Sequence, residues 1–526
     1  MDPVSVGFLS ILPPIIAIVL ALITKEVISS LMIGILFGTF TYAFASHIGF
    51  MGAIGTTFDL MAGKMGDNAM MLIFLALLGV IVALTMTSGG SQAYGEWAAT
   101  KIKNKKQAQI ATGLLGIIIF VDDYFNCLTV GTVMKPLTDE YKVARTKLAY
   151  LIDSTAAPVC IIAPISSWAA AVGATLAQAH MFKSDIMAFC STIPYNLYAI
   201  LTIVMVFTLA ATNISYGPMR NFELQAKETG DLGVNPDGMK EELVEANGKV
   251  KDLIIPILAL IVFSILAMLY TGGFFSGKGI GIMAAFGACS SAPSLAYGGF
   301  GAIIVAMIMY LPRKIMSFKT FMGCFGDGVK TMVPAMLILI MAWTISGVCT
   351  LLNTGKYIGG LVAASNFPLV LIPVVIFIVA AFLSFSTGTS WGTFGILIPI
   401  VVIICKAAMS TNPTLMIVTL AATLGGSVFG DHCSPISDTT ILSSTGANCK
   451  HIDHVQTQLP YAITVAVSSI VGYLVAAATD FNLFATLGSG LVTLFAILYF
   501  MNKRSIKKYG TGDEEQAEDP NEEPAV

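Results

Sequence analysis

Charge is scarce in this chain of 526 residues: Lys, Arg, Asp and Glu make up 11% of it, against roughly 25% in soluble domains. With 56% hydrophobic residues as well, that excludes an ordinary water-soluble globular domain. No G-x-x-x-x-G-K-[ST] string occurs, which argues against an ATP-driven pump. The nine cysteines show no CxxC spacing and mostly lie in apolar sequence. They read as free thiols rather than a disulfide framework, and neither redox nor zinc chemistry is indicated. Residues 4–22 have no basic flank and no A-x-A site, so they are expected to be a retained first helix rather than a signal peptide. Histidine is rare too, five in all. His451 and His454 stand at i, i+3 beside Lys450, but no cysteine or carboxylate pattern completes a metal site, and a surface position is expected for both.

What the chain has in abundance is apolar sequence. Runs of about 20 residues, long enough to span a bilayer, recur between residues 8 and 501, and the chain reads as an all-α polytopic membrane protein. Only two stretches are convincingly hydrophilic, a loop at 215–251 and a tail after Asn502. The acidic residues of 513–523 behave as a solvated appendage. The 49 glycines fit close helix packing in lipid. Four basic clusters are placed on the cytoplasmic side by the positive-inside rule. They are Lys101, Lys103, Lys105 and Lys106; Lys142, Arg145 and Lys147; Arg313, Lys314 and Lys319; and Lys503, Arg504, Lys507 and Lys508.

Between the first two clusters, residues 107–141 are too few for two crossings, which need about 40 apolar residues. The economical arrangement is a helical hairpin that enters from the cytoplasm, turns near the midplane around residues 122–126 and leaves again. Non-helical backbone at that depth is tolerated only where protein or a water-filled cavity covers it, so the tip is expected to line a site. The next segment, 148–180, is interrupted by Asp153-Ser154-Thr155, Pro158 and Pro164. The second half repeats the plan with a hairpin at 368–406, entering from outside, and a broken helix at 413–447.

The expected spans are 8–23, 27–46, 69–88, 107–135, 148–180 and 187–211, then 252–270, 280–311, 332–352, 368–406, 413–447 and 460–479, with a last helix at 482–501. They form two inverted repeats of five transmembrane helices plus a re-entrant helical hairpin each, 1–214 and 252–480. Between the repeats lies the cytoplasmic loop 215–251, and after them come one extra C-terminal helix, 481–502, and the acidic cytoplasmic tail 503–526. Discontinuous helices around a midplane site recur in secondary transporters built this way.

In hydrocarbon a buried charge costs from ~3 to above 10 kcal/mol, so intramembrane carboxylates persist mainly where ions, protons or polar substrates are handled. Sodium is a hard cation best held by oxygen, and exchange against protons is simplest if one carboxylate binds either ion but not both. Asp153 and Asp431 are the chief proton- and sodium-binding candidates, one in each broken helix. Asp122 and Asp123 form a candidate pair at the first hairpin tip, although neighbours in a helix point about 100° apart. Ser154, Thr155, Ser386, Thr387, Thr389, Ser434, Asp438 and Thr439 offer further oxygens, and Asn126 and Thr129 neutral ones.

Each residue also has a structural reading. The hydroxyls can cap or back-bond within kinked spans, Asp153 and Asp431 can N-cap half-helices at the breaks, and Asp438 can cap the start at Thr439-Thr440. His432 can sense pH or relay a proton, or be a satisfied buried imidazole. Trp168 and Trp391 can wall the two breaks or serve as ordinary interface aromatics.

Residues 425–440, Gly-Gly-Ser-Val-Phe-Gly-Asp-His-Cys-Ser-Pro-Ile-Ser-Asp-Thr-Thr, together with segments 120–126 and 153–164, resemble the NhaC-type sodium/proton antiporter family over most of the membrane portion. The resemblance implies a bacterial inner-membrane exchanger of the broader ion-transporter superfamily, with sodium and protons as transported species and a homodimer of inverted repeats with two hairpins. Relatives also exchange organic acids against sodium or protons. The expected function is therefore sodium/proton exchange by alternating access; the alternative is a sodium- or proton-coupled exchanger of a small organic acid or amino acid. No lysine or arginine in either motif block offers an anchor for a carboxylate substrate, though half-helix N-termini can bind one. A channel is disfavoured by the paired hairpins, and an enzyme by the want of a distinguishable nucleophile. No cofactor and no nucleic-acid partner are expected.

Overall fold

The computed structural model describes residues 1–509 apart from 25, 121–122, 165, 167, 170–171, 173–184, 213, 236–247, 364–367 and 407–411. Among the described residues the β-structure is one isolated bridge, Val234 to Cys449, and the fold is all-helical. The first half holds α1 (Leu12–Thr24), α2 (Val27–Ala45), α3 (Gly49–Asp67), α4 (Ala69–Thr87), α5 (Gly90–Lys101), α6 (Lys105–Ile118), α7 (Asp123–Glu140), α8 (Arg145–Cys160), α9 (Asp185–Thr192) and α10 (Leu197–Ala211). The hydrophilic loop contributes α11 (Pro218–Glu228). After it come α12 (Lys251–Thr271), α13 (Ile282–Gly287), α14 (Ser291–Tyr310), α15 (Phe318–Leu351), α16 (Thr354–Ala363), α17 (Ile372–Thr387) and α18 (Ser390–Lys406). The chain closes with α19 (Pro413–Cys433), α20 (Asp438–Ala447), α21 (His451–Ala478) and α22 (Leu483–Tyr509).

Eight of these helices are long and apolar enough to cross a membrane, or nine if residues 189–195 and 197–211, bent by 54°, form one span. This is a multi-pass membrane protein. Several boundaries differ from the sequence expectation. Helix α3 occupies a stretch assigned to no span, because Asp59, Lys64 and Asp67 dilute its apolar run; it packs on α2 and α15. Helix α15 has 34 residues rather than the expected 332–352, about 51 Å at 1.5 Å per residue, which is longer than the roughly 30 Å hydrocarbon layer. The expected 280–311 is divided into α13 and α14.

Helix α8 sits at the centre of the molecule, and every residue from Arg145 to Cys160 is buried. Leu148, Ala149, Ile152 and Ala156 face one hydrophobic core, built with α2, α4, α7, α15 and α20. Tyr150, Leu151, Ala157 and Cys160 face a second, built with α10, α17, α18, α19 and α21. At 100° per residue Asp153 falls between the two faces, so the fold places a carboxylate on the seam of its two cores. Arg145 and Lys147, read from sequence as members of a cytoplasmic basic cluster, are buried in the first turn of this helix. The 215–251 loop is likewise not merely solvated, since α11 packs on α8 and α21.

The second polar break follows from local chemistry. Pro435 has no N–H to continue α19 and disfavours helical backbone at Ser434, which is extended (φ −85°, ψ 126°). Ser437 then starts α20 as its N-cap, accepting from the Thr440 N–H at 3.3 Å. Helices α17 and α18 meet at Gly388, whose φ of +67° suits glycine. A Cβ there would lie 2.5 Å from the Ile436 carbonyl oxygen, so the turn between α17 and α18 rests directly on the break between α19 and α20.

Candidate functional site

Asp153 is fully buried and is the hub of the polar cluster. Its Oδ2 accepts hydrogen bonds from Gln458 Nε2 at 2.6 Å and from the Thr440 hydroxyl at 3.2 Å, and pairs with His454 Nε2 at 3.2 Å. Its Oδ1 lies 4.0 Å from His432 Nε2 and has no hydrogen-bond partner among the described residues. Gln458 also donates to the His432 carbonyl at 2.9 Å, and His432 Nδ1 meets the Tyr198 hydroxyl at 3.1 Å. Four helices, α8, α19, α20 and α21, thus converge on one carboxylate.

Asp431 is the second node. Its Oδ2 accepts from the Ser390 hydroxyl of α18 at 2.7 Å, while Oδ1 is buried with no hydrogen-bond partner among the described residues. The Thr440 hydroxyl that serves Asp153 also lies 3.5 Å from the Asp431 carbonyl oxygen, which links the two nodes through one side chain. Asp438 completes the acidic set, accepting from the Tyr124 hydroxyl at 2.5 Å and from the Thr439 N–H at 2.9 Å.

Neither Asp153 nor Asp431 is an N-cap: the first lies inside α8 and the second in the last turn of α19. The cap of α20 is Ser437 rather than Asp438. The other sequence candidates divide. Asn126 Nδ2 lies within 2.6–3.1 Å of the Gly116, Ile119 and Thr155 carbonyls, holding the end of α6 against α8. Thr129 is buried on the same helix, as are Ser154 on α8 and Asp123 at the start of α7. Thr155, Ser386 and Thr387 back-bond to Leu151, Phe382 and Leu383, and Ser434 donates to the Phe385 carbonyl at 2.8 Å. Thr389 accepts weakly from the Gly392 N–H at 3.5 Å, and Thr439 shares its hydroxyl with Ser437 at 3.1 Å. Asp122 lies outside the described residues.

The surface position expected for His454 is corrected: it is fully buried against Asp153. His451 is half-buried and bonded to the Pro435 carbonyl at 2.7 Å. Their helix starts just after the left-handed turn at Asn448, which drives its first two turns into the body of the protein. Sequence reasoning also missed Gln458, Thr440, Tyr198 and Ser390. His454 and Gln458 share one helix face at i, i+4, the one local signal that pointed to them. Trp168 and Trp391 do come together, with ring centroids 5.3 Å apart and Phe394 beside both. Trp391 directly follows Ser390, the donor to Asp431.

This arrangement has the chemistry of a cation site. Two buried carboxylates each present one oxygen without a hydrogen bond among the described residues, and Gln458 Oε1 is in the same condition. Pro158, lacking an N–H, also denies the Ser154 carbonyl its helical donor. Among the described residues no group of three or more His, Cys, Asp and Glu has the geometry to hold a metal ion.

The profile of the Na+/H+ antiporter family matches residues 169–478, more than half of the chain and the region that carries Asp431, His432, Asp438, His454 and Gln458. An uncharacterized protein of Haemophilus influenzae is 40% identical over 509 residues, covering 94% of this chain and 95% of its own. A malate-2H(+)/Na(+)-lactate antiporter of Bacillus subtilis is 28% identical over 187 residues, 33% of this chain and 37% of its own. An uncharacterized Na(+)/H(+) antiporter of Haemophilus influenzae is 28% identical over 169 residues, 29% and 33% respectively. With its sequence motifs, its membrane-spanning helices and the match over residues 169–478, the chain belongs to the Na+/H+ antiporter family.

Proposed function

We propose that the protein is a secondary active transporter that exchanges sodium for protons by alternating access, with Asp153 and Asp431 as the ion-carrying carboxylates. One observation carries this reading. Each of the two carboxylates is buried and bonded on one oxygen only, and the Thr440 hydroxyl that donates to the Asp153 carboxylate also lies 3.5 Å from the Asp431 backbone carbonyl. A dehydrated sodium ion needs several oxygen ligands, and Asp153 Oδ1, Asp431 Oδ1 and Gln458 Oε1 supply three. A proton on either carboxylate removes the charge that attracts the cation, which makes the two ions competitors.

In this reading the chain forms two inverted repeats of five helices and a hairpin each, and one hairpin-bearing bundle moves against the rest. The basic clusters support a cytoplasmic C-terminus, the family resemblance supports a bacterial inner membrane, and the protein works as a homodimer without a cofactor. A second reading, coupled exchange of a small organic acid or amino acid, is favoured by the donors around Asp153. His432, His454 and Gln458 could hold a carboxylate substrate as well as orient a carboxylate side chain. The Bacillus subtilis relative, a malate-2H(+)/Na(+)-lactate antiporter, points the same way.

The test is dequenching of a trapped pH dye in proteoliposomes on addition of sodium, lithium, potassium, malate or amino acids. A sodium response lost in Asp153→Asn and Asp431→Asn is expected. A response to malate or an amino acid with none to sodium would replace the first reading by the second.

A further inference from the structure

The hydrophilic segment 215–235 binds three helices that carry the site. Its bridge from Val234 to Cys449 and the Asn235 N–H bond to the Asn448 carbonyl at 3.0 Å tie it to the end of α20. The Leu232 carbonyl accepts from the Arg145 N–H at 2.8 Å at the start of α8, and Arg145 Nη1 reaches the Ala447 carbonyl at 2.9 Å. Tyr216 packs edge-on against Tyr461 of α21, with centroids 4.5 Å apart, and its hydroxyl meets that of Thr464 at 2.8 Å. Met219 lies buried, 3.5 Å from the Thr146 hydroxyl. Asp153, Thr440, His454 and Gln458 all lie on the helices so tied.

The segment has the build of a hinged element. Helix α11 is flanked by Gly217 at φ +64° and ψ −153° and by Gly230 and Gly233 at φ +75° and +73°. The first is a conformation essentially reserved for glycine, and such positions absorb large backbone rotations. The contact beneath α11 is mixed: Tyr216, Met219 and Ala226 are buried there, and charged side chains lie beside them. Glu223 pairs with Lys105 at 3.5 Å and faces Lys147, whose ammonium lies 5.9 and 5.6 Å from the ring centroids of Tyr150 and Tyr461. Tyr150 is one turn from Asp153 on α8. Lifting the segment parts these charged groups and one β-bridge and uncovers Tyr216, Met219 and Ala226 rather than a whole core.

We propose that residues 215–235 are a strap that must lift from α8, α20 and α21 in each transport cycle, opening and closing the end of the molecule at which α8 begins. The proposal rests on the transporter reading but not on which solute is carried. Its lifting separates Glu223 from Lys147 and Tyr216 from Tyr461, which packs edge-on against Tyr150, one turn from Asp153.

The bridge supplies the test. Facing residues of an antiparallel pair have Cα atoms about 4.5–5.5 Å apart, within disulfide reach. V234C should therefore form a bond with native Cys449 on oxidation, read by peptide mass mapping. Flux in proteoliposomes is compared before and after oxidation, against V234C/C449S under the same oxidant. The strap predicts at least a tenfold loss of flux in the cross-linked protein and recovery on reduction; unchanged flux in the cross-linked protein overturns it. If the bond does not form, E223Q decides. Several-fold faster amide deuterium uptake over 216–234 with altered flux supports the strap, and unchanged uptake and flux overturn it. Should the flux prove to be of an organic solute, the sodium reading fails, while the oxidised-to-reduced ratio still judges the strap.

Discussion

Asp153 Oδ2 and Gln458 Nε2 are 2.6 Å apart, a hydrogen bond between two fully buried side chains 305 residues apart in the chain that joins α8 to α21. The amide holds one oxygen of the carboxylate and leaves the other to face His432. Asp153→Asn keeps the shape but removes the charge that competes for a cation and a proton, so exchange should fall by about 100-fold or more, in line with the loss of about 3 kcal/mol of charge stabilisation. Gln458→Leu should be the greater burden on folding, since a hydrogen bond to a charged group contributes ~1.5–3 kcal/mol. Proteoliposome flux and thermal midpoints of the two variants separate these effects.

Ser390 donates to Asp431 Oδ2 at 2.7 Å, orienting the carboxylate without being a required ligand. Ser390→Ala should raise the sodium concentration for half-maximal exchange by about tenfold, equivalent to ~1.4 kcal/mol, and leave the saturated rate within a few-fold. Sodium titrations of flux check the split. An unchanged half-saturation would remove Asp431 from the sodium site.

Asn126 satisfies carbonyls at the end of α6 and on α8. Asn126→Ala leaves buried acceptors without a donor, at ~1–3 kcal/mol each, so the folded protein should be several kcal/mol less stable. A clear drop in the thermal midpoint in detergent is the expected result. A midpoint equal to that of the parent would mean that water replaces the amide.

Glu223 gives a pH signature. Burial alone would raise its carboxyl pKa, but Lys147 and Lys105 hold it below the ordinary value of 4.5. The native state then binds fewer protons than the unfolded chain, so this contribution is present above pH 4.5 and is lost as the pH falls through the lowered folded value. The stability difference between the parent and Glu223→Gln should accordingly be largest near neutrality and shrink below pH 4.5. Thermal midpoints of both proteins across that range test the sign.

Much of the fold could be read from local sequence. Apolar runs announce spans, the polar run 430–440 announces a broken helix although its cap is Ser437 rather than Asp438, and the cost of burying Asp153 and Asp431 marks both as residues with a task. The runs that failed had competing local signals. Asp59, Lys64 and Asp67 hid α3, and Lys450 beside His451 made a buried helix start look like surface. Ser386 and Thr387, placed beside a break, carry both readings at once: each hydroxyl donates to the carbonyl one turn back and keeps its oxygen lone pairs.

Membrane residence, helical class, the polar interruptions and the likeness to a family were determined by the sequence alone, because hydropathy, proline and carboxylate burial act within a few residues. Which polar groups meet was decided only by tertiary structure. Thr440, His454 and Gln458 reach Asp153 across 287, 301 and 305 residues, and no local preference encodes such distances. The packing of two cores against opposite faces of α8 brings those helices together, and it turns one aspartate from an expensive buried charge into the centre of a site.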